Sequence, residues 1–216
     1  MNSKVIFTAV FGGYDKIEAP EVITPGWDYI CFTDNETPGN LPSPWRGVKI
    51  NHYPMSPVKA SKMVKILWYQ FVGMYDLSIW IDGSLTVVCN LDSFVEKYHK
   101  GNFTLMKHPG RDCIYKEGNL LLRENLASAQ VIKRQLKRYR NDGFPENYGL
   151  TANGVMIRNK EHPRAIFDLW WEEVKIDCPR DQLSFMYAHW KNPVPLTLMP
   201  YNIIFNDEFR FKKHGK

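Results

Sequence analysis

The sequence predicts a single α/β domain with a mainly parallel central sheet flanked by helices, and three observations predict it. Short apolar, β-branched runs alternate with longer amphipathic stretches, the order that folds as strand, helix, strand with crossover connections. Each apolar run stops at a polar turn rich in Gly, Asp, Asn or Pro. The 216 residues, 44% hydrophobic and 24% charged, suit one buried core. No internal repeat, low-complexity tract or linker interrupts the pattern, so residues 1–216 read as one domain.

Val5–Val10 is a β-branched run halted by Phe11-Gly12-Gly13, the pattern of a central buried strand. Asp28–Thr33 repeats it and ends at Asp34-Asn35, and Gly47–Ile50 supplies a third strand. Ser56-Pro57 opens a helix, with serine as N-cap and proline at the first helical position, running to Phe71 with Lys59, Lys62 and Lys65 on its polar arc. Leu77–Ile81 is a strand entering Asp82-Gly83-Ser84, and Leu91–Lys100 is a short helix stopped by Gly101. Phe103–Lys107 is a strand ending at His108-Pro109. The longest helical pattern covers Leu120–Tyr139 with a basic outer face. Gly154–Arg158 is a late strand, followed by helices over Pro163–Val174 and Pro179–Trp190, where at least one of the adjacent Trp170 and Trp171 belongs to the core. The basic tail, 209–216, is expected to be mobile unless something pins it.

Composition narrows the function classes. No stretch approaches the roughly 20 apolar residues that cross a bilayer, and the N-terminus lacks the apolar core of a signal peptide. The expected location is the cytoplasm, with peripheral membrane association left open. Cys31, Cys89, Cys113 and Cys178 show no C-x-x-C spacing, which argues for reduced, mostly buried thiols. A net charge of +5 suits an anionic partner, whether nucleic acid, lipid head group or nucleotide diphosphate. The Lys133–Arg138 run is a solvated helix face or, in a rival reading, part of a surface built on the basic helix Lys133–Arg140 and the basic tail that binds nucleic acid or anionic glycan without catalysis.

Ligands of open α/β sheets bind beyond the carboxyl ends of the strands, where loops and helix N-termini converge. The informative residues fall there: Ala9, Phe11, Gly12 and Tyr14 around the end of the first strand, Asp34 after the second, Asp82, Gly83 and Ser84 after the fourth, and His108 and Arg111 beyond the Phe103 strand. Neither G-x-G-x-x-G nor G-x-x-x-x-G-K-[ST] occurs, which counts against a Rossmann dehydrogenase and a P-loop enzyme. Asp82 closes an apolar strand before Gly83, a placement that suits a Mg²⁺ or Mn²⁺ ion neutralising a diphosphate, or a turn aspartate capping its own backbone. Lys59 and Lys62 are candidates for the phosphates, Asp34 for base or ribose, and His108 and Arg111 for acceptor or phosphate. Asp181 and Gln182 lie in the first turn of a late helix begun by Pro179, where the helix dipole alone favours an aspartate.

Taken together, Thr8–Asp15, Tyr29–Asn35, Ser78–Ser84, Lys107–Tyr115 and Arg180–Phe185 resemble the glycosyltransferase-like family long catalogued as domain of unknown function 616, across roughly residues 4–190. The landmarks are similar, more distantly, to glycogenin-like retaining glycosyltransferases of the GT-A fold. The resemblance implies a nucleotide-sugar donor, with a UDP-sugar the first guess, a glycan or other hydroxyl acceptor, and a role in polysaccharide or glycoconjugate synthesis; nucleic acid is not an expected partner. It sets Asp82-Gly83-Ser84 where such enzymes carry Asp-x-Asp, Asn153-Gly154 at the loop that meets the donor sugar, and Asp181-Gln182 near the reacting carbon. It also offers His214 as a late metal ligand beside Asp82. Ser84 departs from the pattern by replacing the second aspartate, which keeps open a degenerate fold that binds nucleotide or glycan without turnover. In an inverting enzyme Asp181 would be the general base; in a retaining one it or Gln182 would contact the donor sugar.

Overall fold

The computed structural model describes residues 3–34, 41–205 and 208–212. Three parallel strands open the chain: β1 (Lys4–Val10), β2 (Trp27–Thr33) and β3 (Arg46–Lys49). After α1 (Pro57–Ile66) and α2 (Trp68–Phe71) come β4 (Leu77–Ile81), β5 (Leu85–Val87), α3 (Leu91–Tyr98) and β6 (Phe103–Lys107). The second half holds α4 (Ile114–Arg123), α5 (Ala129–Asn141), β7 (Thr151–Asn159), α6 (Ala165–Ile176), α7 (Gln182–Lys191), β8 (Thr197–Met199) and β9 (Phe209–Phe211).

The main sheet has the order β3-β2-β1-β4-β7-β6-β8. It is mainly parallel, as the alternating pattern predicts: only β7 runs against its neighbours, pairing antiparallel with both β4 and β6. This reversal brings the start of β7 to the edge where the parallel strands end, so Ile81 pairs with Val155 and Asp82 meets Gly154. Side chains of β1 alternate between two cores: Val5, Phe7 and Ala9 pack under α1, α6 and α7, and Ile6 and Val10 pack on the face covered by α3. A strand buried on both faces must be apolar throughout, which is why β1 reads as a continuous run.

Ser56 caps α1 as expected, its Oγ accepting from the Lys59 amide at 3.4 Å. The helix does not run unbroken to Phe71; it ends at Ile66, turns at Leu67 and restarts as α2. Nor is Leu120–Tyr139 one helix. Asn125 adopts φ 51°, the Leu126 amide bonds back to the Leu121 carbonyl at 3.0 Å, and the Asn125 amide reaches the Leu122 carbonyl. That is a Schellman ending with asparagine in the left-handed position, and it separates α4 from α5. Gly118 lets the two helices close, since a Cβ there would stand 2.5 Å from Leu136 Cδ1.

Three short strands had no sequence signature: β5, β8 and β9 each span three residues, below the window in which alternation is readable. The first part of the basic tail is pinned. β9 pairs antiparallel with β5, Phe209 is fully buried against Phe94, and Arg210 and Lys212 form ion pairs with Glu21 and Glu18. Trp170 and Trp171 are both buried, and all four cysteines are free thiols, three of them buried. Among the described residues no helix is long and apolar enough to cross a membrane.

Candidate active site

Helix α1 turns one face, Pro57, Val58, Ser61, Lys62 and Lys65, into a cleft of about 810 Å³ at the carboxyl edge of the sheet. These positions recur at the helical period, so Lys62 and Lys65 project side by side. Opposite them stands Asp181, the N-cap residue of α7, its carbonyl held by the Trp170 indole N–H at 2.9 Å. Its carboxylate divides between the two lysines: Oδ1 lies 2.9 Å from Lys62 Nζ and Oδ2 2.8 Å from Lys65 Nζ. Lys65 continues to Asp82, with Nζ 3.2 Å from Oδ1, and the Trp80 indole donates to that same oxygen at 2.9 Å. Two lysines and two aspartates thus form one connected cluster.

Burial of the cluster is graded. The side chain of Lys65 is only 1% exposed and that of Asp181 9%, whereas Lys62 keeps 21% and Asp82 39%. Desolvation alone would raise the Asp181 pKa; the ammonium groups of Lys62 and Lys65 outweigh it and hold the carboxyl far below the usual aspartate range. Burial likewise works against the Lys62 charge, but Asp181 and then Asp82 reverse that and raise its pKa.

Asp82 is fixed from the backbone as well, its amide donating to the Gly154 carbonyl at 2.8 Å. Gly154 leaves the space beside the carboxylate open, since a Cβ there would lie 3.4 Å from Asp82 Oδ2 and 3.2 Å from Met106 Cε. Gly83 packs just as closely, 2.9 Å from Val10 Cγ2 to where a Cβ would be. Next to Gly154, Asn153 is 4% exposed; its Oδ1 accepts from Thr151 Oγ1 at 2.8 Å. Its amide nitrogen is buried with no hydrogen-bond partner among the described residues. An orphaned donor in a cleft is an unmet hydrogen bond that a ligand hydroxyl can satisfy.

A second cleft, of about 1090 Å³, adjoins the first through Val10, Gly12 and Asp15 and extends to Thr33 and Asp34. Both carboxylate oxygens of Asp34 lie within reach of the Gly12 amide, at 3.1 and 2.9 Å, and Oδ2 also meets His52 Nε2 at 3.0 Å. Burial pulls the Asp34 pKa up, but the Gly12 amide and His52 bring it below the usual value. The Asp34 hydrogen bond raises that of His52, with the Met55 carbonyl contributing. Gly12, at φ 64°, is the turn that permits this, and a Cβ there would strike Pro57 Cγ at 3.0 Å.

Of the residues singled out in the sequence, Ala9, Phe11, Gly12, Tyr14, Lys62, Asp82, Gly83, Ser84, Asn153, Gly154, Asp181 and Gln182 line the first cleft, and Asp34 the second. Lys59 does not join them: its ammonium donates to the Lys175 carbonyl at 2.7 Å, on another face of α1. His108 and Arg111 form a loop network, Arg111 bonding Glu117 at 2.6 Å and His108 at 3.1 Å, and only Glu117 of the three lines the cleft. His214 lies outside the described residues. The structure adds Lys65, Trp80 and Tyr201, which line the first cleft, and His52, which bonds Asp34. The nearest sequence signal was the i, i+3 spacing of Lys62 and Lys65, which put Lys65 on a polar arc where the structure buries it. Tyr201 follows β8 and lines the cleft; burial, then the Asp82 charge, raises its pKa.

Among the described residues no three His, Cys, Asp or Glu side chains converge as a metal site. Asp82 Oδ1 already faces an ammonium and an indole N–H, and Ser84 brings a neutral hydroxyl. These groups do not by themselves make a site for a hard dication, which draws on anionic oxygens and is repelled by a neighbouring ammonium.

Comparison with known proteins places this geometry in a family. The model of the TOD1/MUCI70 glycosyltransferase-like domain matches residues 1–212. The chain belongs to that family. A curated relative, the probable hexosyltransferase MUCI70 of Arabidopsis thaliana, is 25% identical over 209 residues, covering 84% of this chain and 36% of its own length. A solved structure of the bifunctional glycosyltransferase WbbM in its apo form superposes with a TM-score of 0.50 at 12% identity, covering 92% of this chain and 39% of WbbM. The chain therefore spans between a third and two fifths of the proteins it matches. The fold is that of a glycosyltransferase domain.

Proposed function

We propose that this domain transfers a hexosyl group from a nucleoside diphosphate donor to a hydroxyl acceptor, of the kind met in polysaccharide or glycoconjugate synthesis. One observation carries the reading: Lys62, Lys65, Asp82 and Asp181 converge at the sheet edge of a domain in a glycosyltransferase-like family. The nucleoside would lie toward Asp34 and Gly12, the diphosphate beside Lys62, and the sugar against Asn153 and Gly154. The amide of Asn153 would donate to a sugar hydroxyl, giving its orphaned N–H a partner.

In this arrangement the bond from the anomeric carbon to the β-phosphate oxygen breaks, and its electron pair passes to that oxygen. The acceptor oxygen forms the new bond to the anomeric carbon and gives up its proton. Asp181, ion-paired twice and held strongly ionised, is a weak base, so the released phosphate oxygen is the better proton acceptor. The role left to Asp181 is to hold the lysine pair in place, while Gln182 faces the donor from the same helix start.

Calorimetric titration with uridine and guanosine diphosphates in Mn²⁺-containing buffer tests the reading. Saturable binding of one nucleotide is expected, weakened about tenfold or more by Lys62→Met, the loss of one charge-assisted hydrogen bond. Absence of binding to either nucleotide by folded protein, together with RNA binding that weakens steeply with salt, would replace it with the polyanion-binding reading. The helix face that reading needs is partly neutralised: Arg138 pairs with Glu173 and Asp177, and Arg134 with Asp177.

A further inference from the structure

We infer that Lys65 takes the electrostatic place of a divalent metal on Asp82, so that the donor diphosphate is bound through Lys62 without any metal ion. The inference rests on the reading of the cleft as a nucleotide-sugar site.

The geometry supports it from three sides. First, the Lys65 ammonium is placed where a metal would compete with it, 3.2 Å from Asp82 Oδ1, and it is closed off from solvent. A buried ammonium is retained only where carboxylates compensate it, and Lys65 has two, Asp82 and Asp181. Second, the site holds Lys65 there on purpose-built contacts: the Trp80 ring lies 5.6 Å from its Nζ while the same indole donates to Asp82, and the guanidinium of Arg158 donates to the Lys65 carbonyl at 3.0 Å. Third, Ser84 withdraws the second anionic oxygen that a dication would draw on, and Gly154 leaves Asp82 Oδ2 uncrowded for substrate rather than shielding it. The two lysines and two aspartates are neutral as a set. An added dication would leave that set with two excess positive charges beside a fixed ammonium, whereas an added diphosphate finds the partly exposed Lys62 ready to donate.

As the donor's glycosidic bond breaks, the new negative charge on the phosphate oxygen is met by hydrogen bonds from Lys62, which stays protonated throughout. Lys65 acts through Asp82 and Asp181, cancelling their charge so that the anionic donor is not repelled. It is a positioning residue, and Lys62 is the one that touches substrate.

The test is calorimetric titration of the whole chain with uridine and guanosine diphosphates, once with Mn²⁺ and once with excess chelator. The affinity is expected to agree within about twofold between the two conditions. Lys65→Met is expected to free Asp82, making nucleotide binding dependent on Mn²⁺ and lowering the paramagnetic resonance signal of free aqueous Mn²⁺ on titration, which native protein leaves unchanged; a purely structural lysine would give neither. Should that variant fail to fold, the comparison on native protein decides alone. Binding that vanishes in chelator and returns with Mn²⁺ overturns the inference and leaves the proposed function standing. No binding in either condition overturns both.

Discussion

Asp181 is nearly excluded from water yet bonded to two ammonium groups, and this makes it the residue whose loss is felt most. Asp181→Asn preserves the shape but leaves the buried Lys65 with Asp82 as its one carboxylate and takes from Lys62 the carboxylate it pairs with, so we expect a loss of about 3–5 kcal/mol in urea denaturation. The same pairing fixes a pH dependence. The folded-state pKa of Asp181 lies below its unfolded value of about 3.9. Its contribution is therefore fully present above that unfolded value and disappears as pH falls toward the folded one. Acid unfolding of the native protein below pH of about 4 should flatten in Asp181→Asn; an unchanged acid limb would remove Asp181 as its source. At this scale the sequence was informative about aspartates and poor on their partners. Asp34, Asp82 and Asp181 were legible because each stands at the end of an apolar run or the start of a helix. Lys65 was not, because its partners, Asp82 after β4 and Asp181 at the start of α7, are brought to it by tertiary packing that no local pattern encodes.

Strand β7 carries the clearest case of an element serving the site from behind. Arg158 is fully buried on it, ringed by Trp68, Phe103 and Phe167 at 5.4–5.7 Å, and burial pulls its pKa down to about 9. It forms no ion pair among the described residues; Nη2 donates to the carbonyl of Lys65, at the last turn of α1. Removing an uncompensated charge from an apolar cage is nearly neutral or favourable, so Arg158→Met should change global stability by less than about 2 kcal/mol. The end of α1 would lose its external donor, and the Leu67 amide, bonded to Met63, should exchange with solvent about tenfold faster. A collapse in stability with unchanged exchange would show instead that the guanidinium supports the core. Element boundaries followed the same logic as Lys65. The Ser56-Pro57 start was legible because capping is local. The α4–α5 break is not legible, because apolar spacing continues on both sides of Asn125, and a single asparagine in the left-handed region is a faint signal.

Across the whole molecule, the final strand ties distant parts of the chain to the cleft. β9 pairs with β5, which directly follows Asp82-Gly83-Ser84, and the Lys212 amide donates to the Ser84 carbonyl at 2.8 Å. Phe209 points into the core beneath α3 and Phe211 lines the cleft, so one three-residue strand has a structural end and a functional end. This separation can be measured. Phe209→Ala empties a fully buried site and should cost about 3–5 kcal/mol, read by thermal or chemical denaturation. Phe211, 38% exposed, should cost less than about 1 kcal/mol when changed to alanine, while nucleoside diphosphate affinity falls because the loop after Asp82 loses its outer wall. If β9 merely closes the core, Phe211→Ala will bind nucleotide as the native chain does. If it also shapes the cleft, the two substitutions will separate cleanly, one lowering stability and the other lowering affinity at unchanged stability.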